Sequence, residues 1–385
     1  MTQQDVAILD FGSSTITILI GQRGINNTLT ISGKGETEYA GYGEGEFFRP
    51  EQLGQAVAHA INIAETTAKT KITKLYVGVP GDFTVCVCKD VERTFDNIKH
   101  KITAADIEEL HEQGNTFYRD PAVKVINIQP VYYTLSNERR LIEPVGLVSS
   151  KLGGHISYLM AETKFINTVD SIMNALGIAE VEYVSSILAE TLFLFDEVKR
   201  DQYVVLLDVG YITTSVAVAR GDGILSLHSF SLGGGNIAGD LANYFQISYA
   251  EAEALKRRVT LTLSMGPDDY YEVTDRYPAA LVNEIVTARI GSIAKTVQKC
   301  LDLNEYVVPN NIPYSLTGGG VAYMRGAKEV LSDMLQRRVE VVAPRIPQME
   351  VPGWSSSLGL LDLAIKIQEP QKQGFLDKVK KLFKK

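Results

Sequence analysis

The sequence predicts an α/β protein built from two related lobes. Helical and strand periodicities alternate along the chain. A strand–turn–strand signature occurs twice, at Asp10 and again at Asp208. Glycine clusters sit where the predicted strands stop, which is where open α/β sheets take their ligands. A chain of 385 residues exceeds one compact core and suits two, and its 45% apolar content is that of an ordinary globular protein.

The first signature is DVAILDFGSSTITILIG (residues 5–21) and the second is YVVLLDVGYITTSVAVARG (residues 203–221). Each has four apolar residues, an Asp, one residue, a Gly and a Thr three positions on, followed by an alternating β-branched run. In order after the first copy come a helix over 51–69 and a buried strand over 74–80 ending at Pro80. Residues 84–160 break the rhythm. They hold a helix at 103–114 and β-rich stretches such as KVINIQPVYYTL, and read as an inserted subdomain. Helices follow over 164–177 and 186–199, flanking the strand EVEYV. A long amphipathic helix spans 281–303, and the strand PYSLT (313–317) runs into Gly318, Gly319 and Gly320.

The expected division is a first lobe of 5–83 with 161–200 and 345–366, and the insert at 84–160. The second lobe takes 201–242 and 300–344, with a small subdomain at 243–299. A polar, proline-interrupted linker at 367–373 leads to a terminal segment, 374–385.

Net charge is −8, but GFLDKVKKLFKK at the end carries five lysines against Asp377, so the remainder is acidic at −12. That body argues against nucleic acid as a partner, and the asymmetry marks a separate task for the terminus. Cys86, Cys88 and Cys300 fit no zinc or redox spacing and read as reduced structural thiols of a cytosolic protein. There is no signal-peptide pattern and no apolar run of about eighteen residues, so membrane contact is expected to be peripheral.

A turn written Gly-Ser-Ser-Thr offers backbone N–H groups and hydroxyls to one point, a geometry suited to phosphate oxygens. An Asp closing the incoming strand can reach a hydrated Mg²⁺ beside them. Read singly, each D-x-G-x-x-T is an ordinary strand and turn; the duplication gives it weight, since two such hairpins could grip a polyphosphate from both sides. SLGGGNIAGDLA (231–242) and LTGGGVAYMRG (316–326) place glycines before helices, where a base and ribose can lie on the backbone. Glu253 and Lys256 project one way from a predicted helix, either to bind ribose hydroxyls or to form a surface ion pair.

This order of motifs resembles the actin-like ATPase superfamily, whose lobes are duplicated ribonuclease-H-like units. Within it the chain is similar to the FtsA family of bacterial cell-division proteins. VINIQPVYYTL, IEPVGLVSSKL, SLGGGNIAGDLA, EIVTARIGSI, LTGGGVAYMRG and the closing GFLDKVKKLFKK carry that resemblance over nearly the whole chain. It implies an actin-like clamp with an FtsA-type (SHS2) insert, binding ATP and Mg²⁺ in its central cleft. It also implies self-association as a filament, contact with the C-terminal tail of FtsZ and with other division proteins, and attachment to anionic lipid. The expected place is the cytoplasmic face of the cell membrane at the division site.

Position by position, Asp10, Gly12, Ser13, Ser14 and Thr15 match the first phosphate motif, and Asp208, Gly210, Thr213 and Thr214 the second. Gly234, Gly235, Asn236, Glu253, Lys256, Gly318, Gly319 and Gly320 match the nucleoside part. Asp10 and Asp208 would hold the metal through water. The family places its FtsZ contact in residues 243–299, where Arg276 and Arg289 could meet an acidic tail.

Two departures bear on chemistry. Relatives read Asp-x-Gly-Gly-Gly-Thr-Thr-Asp at the second hairpin, whereas DVGYITTS has Tyr211 and Ile212 for glycines and Ser215 for the acid. Ser185 stands where a carboxylate opens the connecting helix. Neutral serines are poor bases near neutral pH, so hydrolysis is doubtful, and a cleft that binds no nucleotide stays open as a reading. Glu190, about 140° around a helix from Ser185, is not expected to substitute.

In the terminal segment Phe375, Leu376, Val379, Leu382 and Phe383 follow i, i+1, i+4, i+7, i+8 spacing, one helical stripe. Lys378, Lys380, Lys381, Lys384 and Lys385 fill the other faces. The pattern fits a membrane-surface helix that folds on lipid, against a solvated tail or a helix docked on its own acidic body. Two other readings of the whole are an actin-like assembly protein of a pilus or secretion apparatus (PilM type) and an active ATPase or phosphotransferase.

Overall fold

The computed structural model describes residues 5–24 and 28–368. In the first lobe lie β1 (Val6–Phe11), β2 (Thr15–Arg23), β3 (Leu29–Glu38), a short hairpin of β4 (Tyr42–Gly43) and β5 (Glu46–Phe47), α1 (Pro50–Ala68) and β6 (Lys74–Val79). The insert adds β7 (Thr84–Thr94), α2 (Ala104–Gly114), β8 (Val123–Leu135), β9 (Arg140–Leu141) and β10 (Lys151–Glu162). The chain returns through α3 (Thr163–Leu176), β11 (Glu180–Ser185), α4 (Ser186–Leu194) and α5 (Glu197–Asp201). The second lobe comprises β12 (Val204–Val209), β13 (Thr214–Arg220), β14 (Gly223–Phe230), α6 (Gly234–Phe245) and α7 (Tyr249–Lys256). It continues through β15 (Tyr270–Glu272), β16 (Arg276–Pro278), α8 (Ala279–Asp302), β17 (Tyr314–Thr317), α9 (Ala327–Leu335) and β18 (Val339–Val341). Finally α10 (Ser355–Gln368) crosses back to the first lobe.

The two large sheets have one topology. The first runs β3-β2-β1-β6-β11 and the second β14-β13-β12-β17-β18, so each begins with an antiparallel meander and ends in parallel strands. The central strands VAILDF and VVLLDV are covered on both faces, which is why they read as continuous apolar runs rather than alternating ones. Within this shared plan Asp10 pairs with Thr17 across its hairpin and Asp208 with Ser215 across the other. The duplication therefore sets the two aspartates at equivalent strand ends.

Each lobe has its own core. Leu9, Ile16, Ile18, Val57, Ala60, Val77 and Phe165 fill the first, and Val205, Leu207, Ile237, Val282, Ile290 and Leu316 the second. Each such fully buried aliphatic side chain contributes roughly 1.5–3 kcal/mol relative to exposure. A third cluster joins α10 to the back of the first sheet through Ile8, Leu19, Tyr76, Leu358 and Leu361. Arg23 Nη2 meets Asp362 Oδ1 at 3.0 Å beside it.

The insert is a four-stranded antiparallel sheet, β7-β10-β8-β9, with α2 on one face over Tyr133, Ile156 and Tyr158. Thr103 and Asp106 cap α2 reciprocally. The insert leans on the second lobe. Ser157 Oγ, Cys86 Sγ and Cys88 Sγ all donate to the Ile224 carbonyl, at 2.5, 3.2 and 3.3 Å. His155 Nε2 lies 3.0 Å from the Tyr306 hydroxyl. These cysteines are free thiols with structural hydrogen bonds, and the third, Cys300, is buried.

One predicted helix is corrected. The segment 186–199 is two helices, because the chain extends at Phe195 and Asp196 caps α5 by accepting the Lys199 N–H at 2.9 Å. The α10 helix also runs to Gln368, into the first residues of the expected linker. The rest of 367–373 and the terminal segment 374–385, with its stripe and lysines, lie outside the described residues. Among the described residues no helix is long and apolar enough to cross a membrane.

Candidate functional site

A cleft of about 370 Å³ opens between the lobes, lined by both hairpin turns, the Gly318-Gly319 turn and the start of α10. Asp10, Gly12, Ser13, Ser14 and Thr15 face it from one side, and Asp208, Gly210, Thr213 and Ser215 from the other. Thr214 is one residue further on and turned away, fully buried, with its hydroxyl donating to Leu232 O at 2.6 Å. The first turn is braced by Tyr39 and Tyr42, whose hydroxyls donate to Gly12 O and Phe11 O at 2.8 and 3.1 Å.

The floor is acidic. Asp10 accepts hydrogen bonds from Ser356 Oγ (3.0 Å) and Ser357 Oγ (2.6 Å), two hydroxyls at the N-terminus of α10. Burial raises its pKa, and the Ser357 and Ser356 bonds partly offset that. Burial, then the charge of Asp10, pushes the Asp208 carboxyl up to about 7. Glu190 also lines the cleft. It is 1% exposed, its Oε2 has no hydrogen-bond partner, and burial followed by Asp208 and Asp10 holds its pKa well above the usual carboxylate range. No three acidic, His or Cys side chains among the described residues are close enough to hold a metal directly.

Ser185 and Glu190 are placed differently from expectation. Ser185 ends β11 and caps α4, its amide bonded to Asn127 Oδ1 at 2.9 Å, and it does not line the cleft. The helix starts at Ser186, as expected, so Ser185 lies outside it, and Ser186 and Glu190, four apart, share the face that looks into the cleft. Counting the helical rotation from Ser185 assigned Glu190 the wrong side. Ser215 does line the cleft, with its hydroxyl 2.9 Å from Ser229 Oγ. Ser356 and Ser357 were missed altogether; the signal was three consecutive serines, 355–357, opening an apolar helix.

The nucleoside set is arranged differently from expectation. Gly318 and Gly319 line the cleft, but Gly234, Gly235, Asn236, Glu253, Lys256 and Gly320 do not. Their glycines serve turn-on-turn packing instead. A Cβ on Gly320 would lie 2.1 Å from Gly210 O, and one on Gly234 would lie 2.3 Å from Gly320 O. Gly318, at φ +89°, also leaves no room for a side chain beside Asp208. Asn236 Oδ1 caps α6 by accepting the Gly233 N–H at 2.8 Å. Lys256 is buried, with Nζ 2.7 Å from Glu253 Oε2 and 3.1 Å from Gly234 O.

Tyr211 covers this group. Its hydroxyl donates to Glu253 Oε2 at 3.2 Å, and its ring lies 5.0 Å from Lys256 Nζ and edge-on to Tyr249. Tested against ATP with Mg²⁺, the residues as arranged do not fit: the Tyr211 ring takes the space over Gly235 where a base or ribose would lie.

Of the two arginines in the small subdomain, Arg289 is held by Asp240 through two 2.6 Å bonds. Arg276 is exposed on the β15–β16 hairpin, 4.3 Å over Tyr270 and 3.2 Å from Glu272 Oε1.

Two sheets of one topology, clamped about a cleft whose facing turns come from duplicated hairpins, make this an actin-like fold. Solved structures agree. A chain of the PilM–PilN type IV pilus biogenesis complex superposes with a TM-score of 0.65 at 17% identity, covering 95% of this chain and 99% of that one. MreB5 of Spiroplasma citri bound to AMPPNP gives 0.53 at 10% identity, covering 92% and 94%. At such identities the likeness is one of fold.

The sequence comparisons narrow the class. The model of cell division protein FtsA matches residues 205–359, and that of the SHS2 domain inserted in FtsA matches residues 86–159. Cell division protein FtsA of Neisseria meningitidis serogroup B is 24% identical, over 95% of this chain and 91% of the relative. That of Escherichia coli K12 is 22% identical, over 92% and 88%. The chain belongs to the FtsA family of cell-division proteins.

Proposed function

We propose that this chain is a tethering adaptor of the division ring, a scaffold rather than a turnover enzyme. The observation that carries it is the pairing of an FtsA-family body with a short basic amphipathic terminus. Residues 374–385 concentrate five lysines around an apolar stripe, on a chain whose remainder is strongly acidic. Such a segment inserts its stripe at the acyl boundary of anionic lipid while the lysines meet the headgroups. One copy binds weakly. Actin-like self-association would set many copies side by side, and avidity then exceeds single-site affinity by roughly 10² to 10⁴.

The ring partner in this reading is the acidic C-terminal tail of FtsZ, docking on the small subdomain at 243–299. Arg276 supports it better than Arg289, whose guanidinium already has both its partners. Beside them a shallow groove lined by Leu261, Leu263, Met265 and Met334 offers apolar surface. The protein would sit on the cytoplasmic face of the membrane at the division site, with further division proteins as partners.

Deleting residues 374–385 tests the tether. The shortened protein should keep its thermal unfolding transition but stop sedimenting with anionic vesicles; unchanged sedimentation refutes it. The pilus-type reading rests on fold likeness alone. It gains if the full chain ignores FtsZ tail peptide in a pull-down. Steady phosphate release from ATP would favour the enzyme reading.

A further inference from the structure

The residues that replace glycines in the second turn make hydrogen bonds through the Ile212 amide and the Tyr211 carbonyl and hydroxyl. Ile212 N donates to Ser13 Oγ at 2.9 Å, directly bridging the two hairpins that a polyphosphate would otherwise separate. At the N-terminus of α6, a natural anion site, the Gly234 and Gly235 amides are already bonded to Gly210 O (2.9 Å) and Tyr211 O (2.6 Å). The Gly320 amide is bonded to Val209 O at 2.8 Å. Above them the Tyr211 ring packs so closely that a Cβ on Gly235 would lie 2.9 Å from its Cε1. Its hydroxyl takes Glu253 and its face takes Lys256.

We propose that the Tyr211–Ile212 turn is an internal occupant of the nucleotide site, a piece of protein that fills the places of base and phosphate and closes the clamp without ligand. A nucleotide bound here would have to displace an aromatic ring and compete with four hydrogen bonds that are already made. It would also have to approach three carboxylates, the buried Asp10 and Glu190 and the partly buried Asp208, with Arg257 the only cation among the described residues lining the cleft. A hydrogen bond inside the protein costs nothing to order on binding, whereas each one transferred to a ligand must first be broken. Glycines at 211 and 212 would remove the ring and the bulk against Ser13 and Gly41, where the Ile212 Cδ1 now sits.

The test is a titration of the full chain with fluorescent N-methylanthraniloyl-ATP in excess Mg²⁺, paired with thermal melts in unlabelled ATP. The wild-type protein should show no saturable binding below about 1 mM and no rise in melting temperature. The variant Tyr211→Gly/Ile212→Gly should melt lower, bind saturably at least about tenfold more tightly, and regain melting temperature with ATP. Micromolar binding by the wild type, or binding weakened by Tyr211→Gly, overturns the proposal, because Tyr211 would then be a stacking platform. If the double variant does not fold, Tyr211→Ala is titrated in its place and the wild-type melt still decides. These outcomes are independent of vesicle binding, so the tether stands or falls separately.

Discussion

Asp10, Asp208 and Glu190 meet on one cleft floor with no lysine among the described residues lining it, and the cost of that arrangement depends on pH. Burial raises all three, partly offset at Asp10 by the Ser357 and Ser356 bonds; the charge of Asp10 adds to it at Asp208, which reaches about 7, and the charges of Asp208 and Asp10 add to it at Glu190. Between the ordinary carboxylate range and the raised values the folded chain keeps protons the unfolded chain has released. The burden these three groups place on stability is therefore least below the ordinary carboxylate values and grows as pH climbs through about 4 to 7. Glu190→Gln removes one of these charges while keeping its shape. It should leave stability at pH 5 nearly unchanged and raise it at pH 8, as read by urea unfolding at both; an equal effect at the two values would remove Glu190 from the floor. The aspartates were legible in the sequence because the repeat names them twice. Glu190 was not, because its side of the helix was counted from Ser185, a cap residue outside α4 that does not line the cleft, and periodicity alone does not say which face meets the cleft.

At the scale of elements, the second lobe's nucleoside motif acts as internal masonry. Lys256 on α7 ties Glu253 to the carbonyl that opens α6, and Tyr211 closes over them. Burial lowers the Lys256 pKa, and the Glu253 hydrogen bond and charge counter it. Truncating Lys256 to Ala leaves the buried Gly234 carbonyl without this donor and Glu253 with only Tyr211 and Arg257, so it should cost about 1–3 kcal/mol in chemical denaturation. Pairing Lys256→Met with Glu253→Gln should recover much of that loss; no recovery would mean the lysine contributes chiefly as packing. Most elements could be read in advance, since long periodic segments such as α1 and α8 and the doubled hairpins leave little choice. The break at Phe195–Asp196 was hidden by the apolar run before it. The glycine clusters were visible, but their purpose was not: a sequence shows that a close approach is permitted, not whether a ligand or another turn makes it.

For the whole molecule, the decisive contrast is between an acidic body and a basic terminus. A net −12 body is repelled by an anionic surface, so in the proposed reading attachment would come from residues 374–385 acting against the rest of the chain. Two contributions are separable. Lysines near the headgroups supply on the order of 1 kcal/mol each and are screened within about 10 Å at 0.1 M salt, whereas the buried stripe is insensitive to salt. Lys380→Glu with Lys381→Glu should thus weaken vesicle binding more than tenfold at low salt, with the deficit narrowing as salt rises. Leu382→Asp with Phe383→Asp should abolish binding at every salt concentration. Self-association adds a multiplier: if copies act together, dilution below the assembly threshold should release the wild type from vesicles far more steeply than one-site binding allows. A shallow, single-site release curve for a protein that still sediments at high concentration would show that each terminus holds the membrane alone, and the actin-like body would then be no amplifier of attachment.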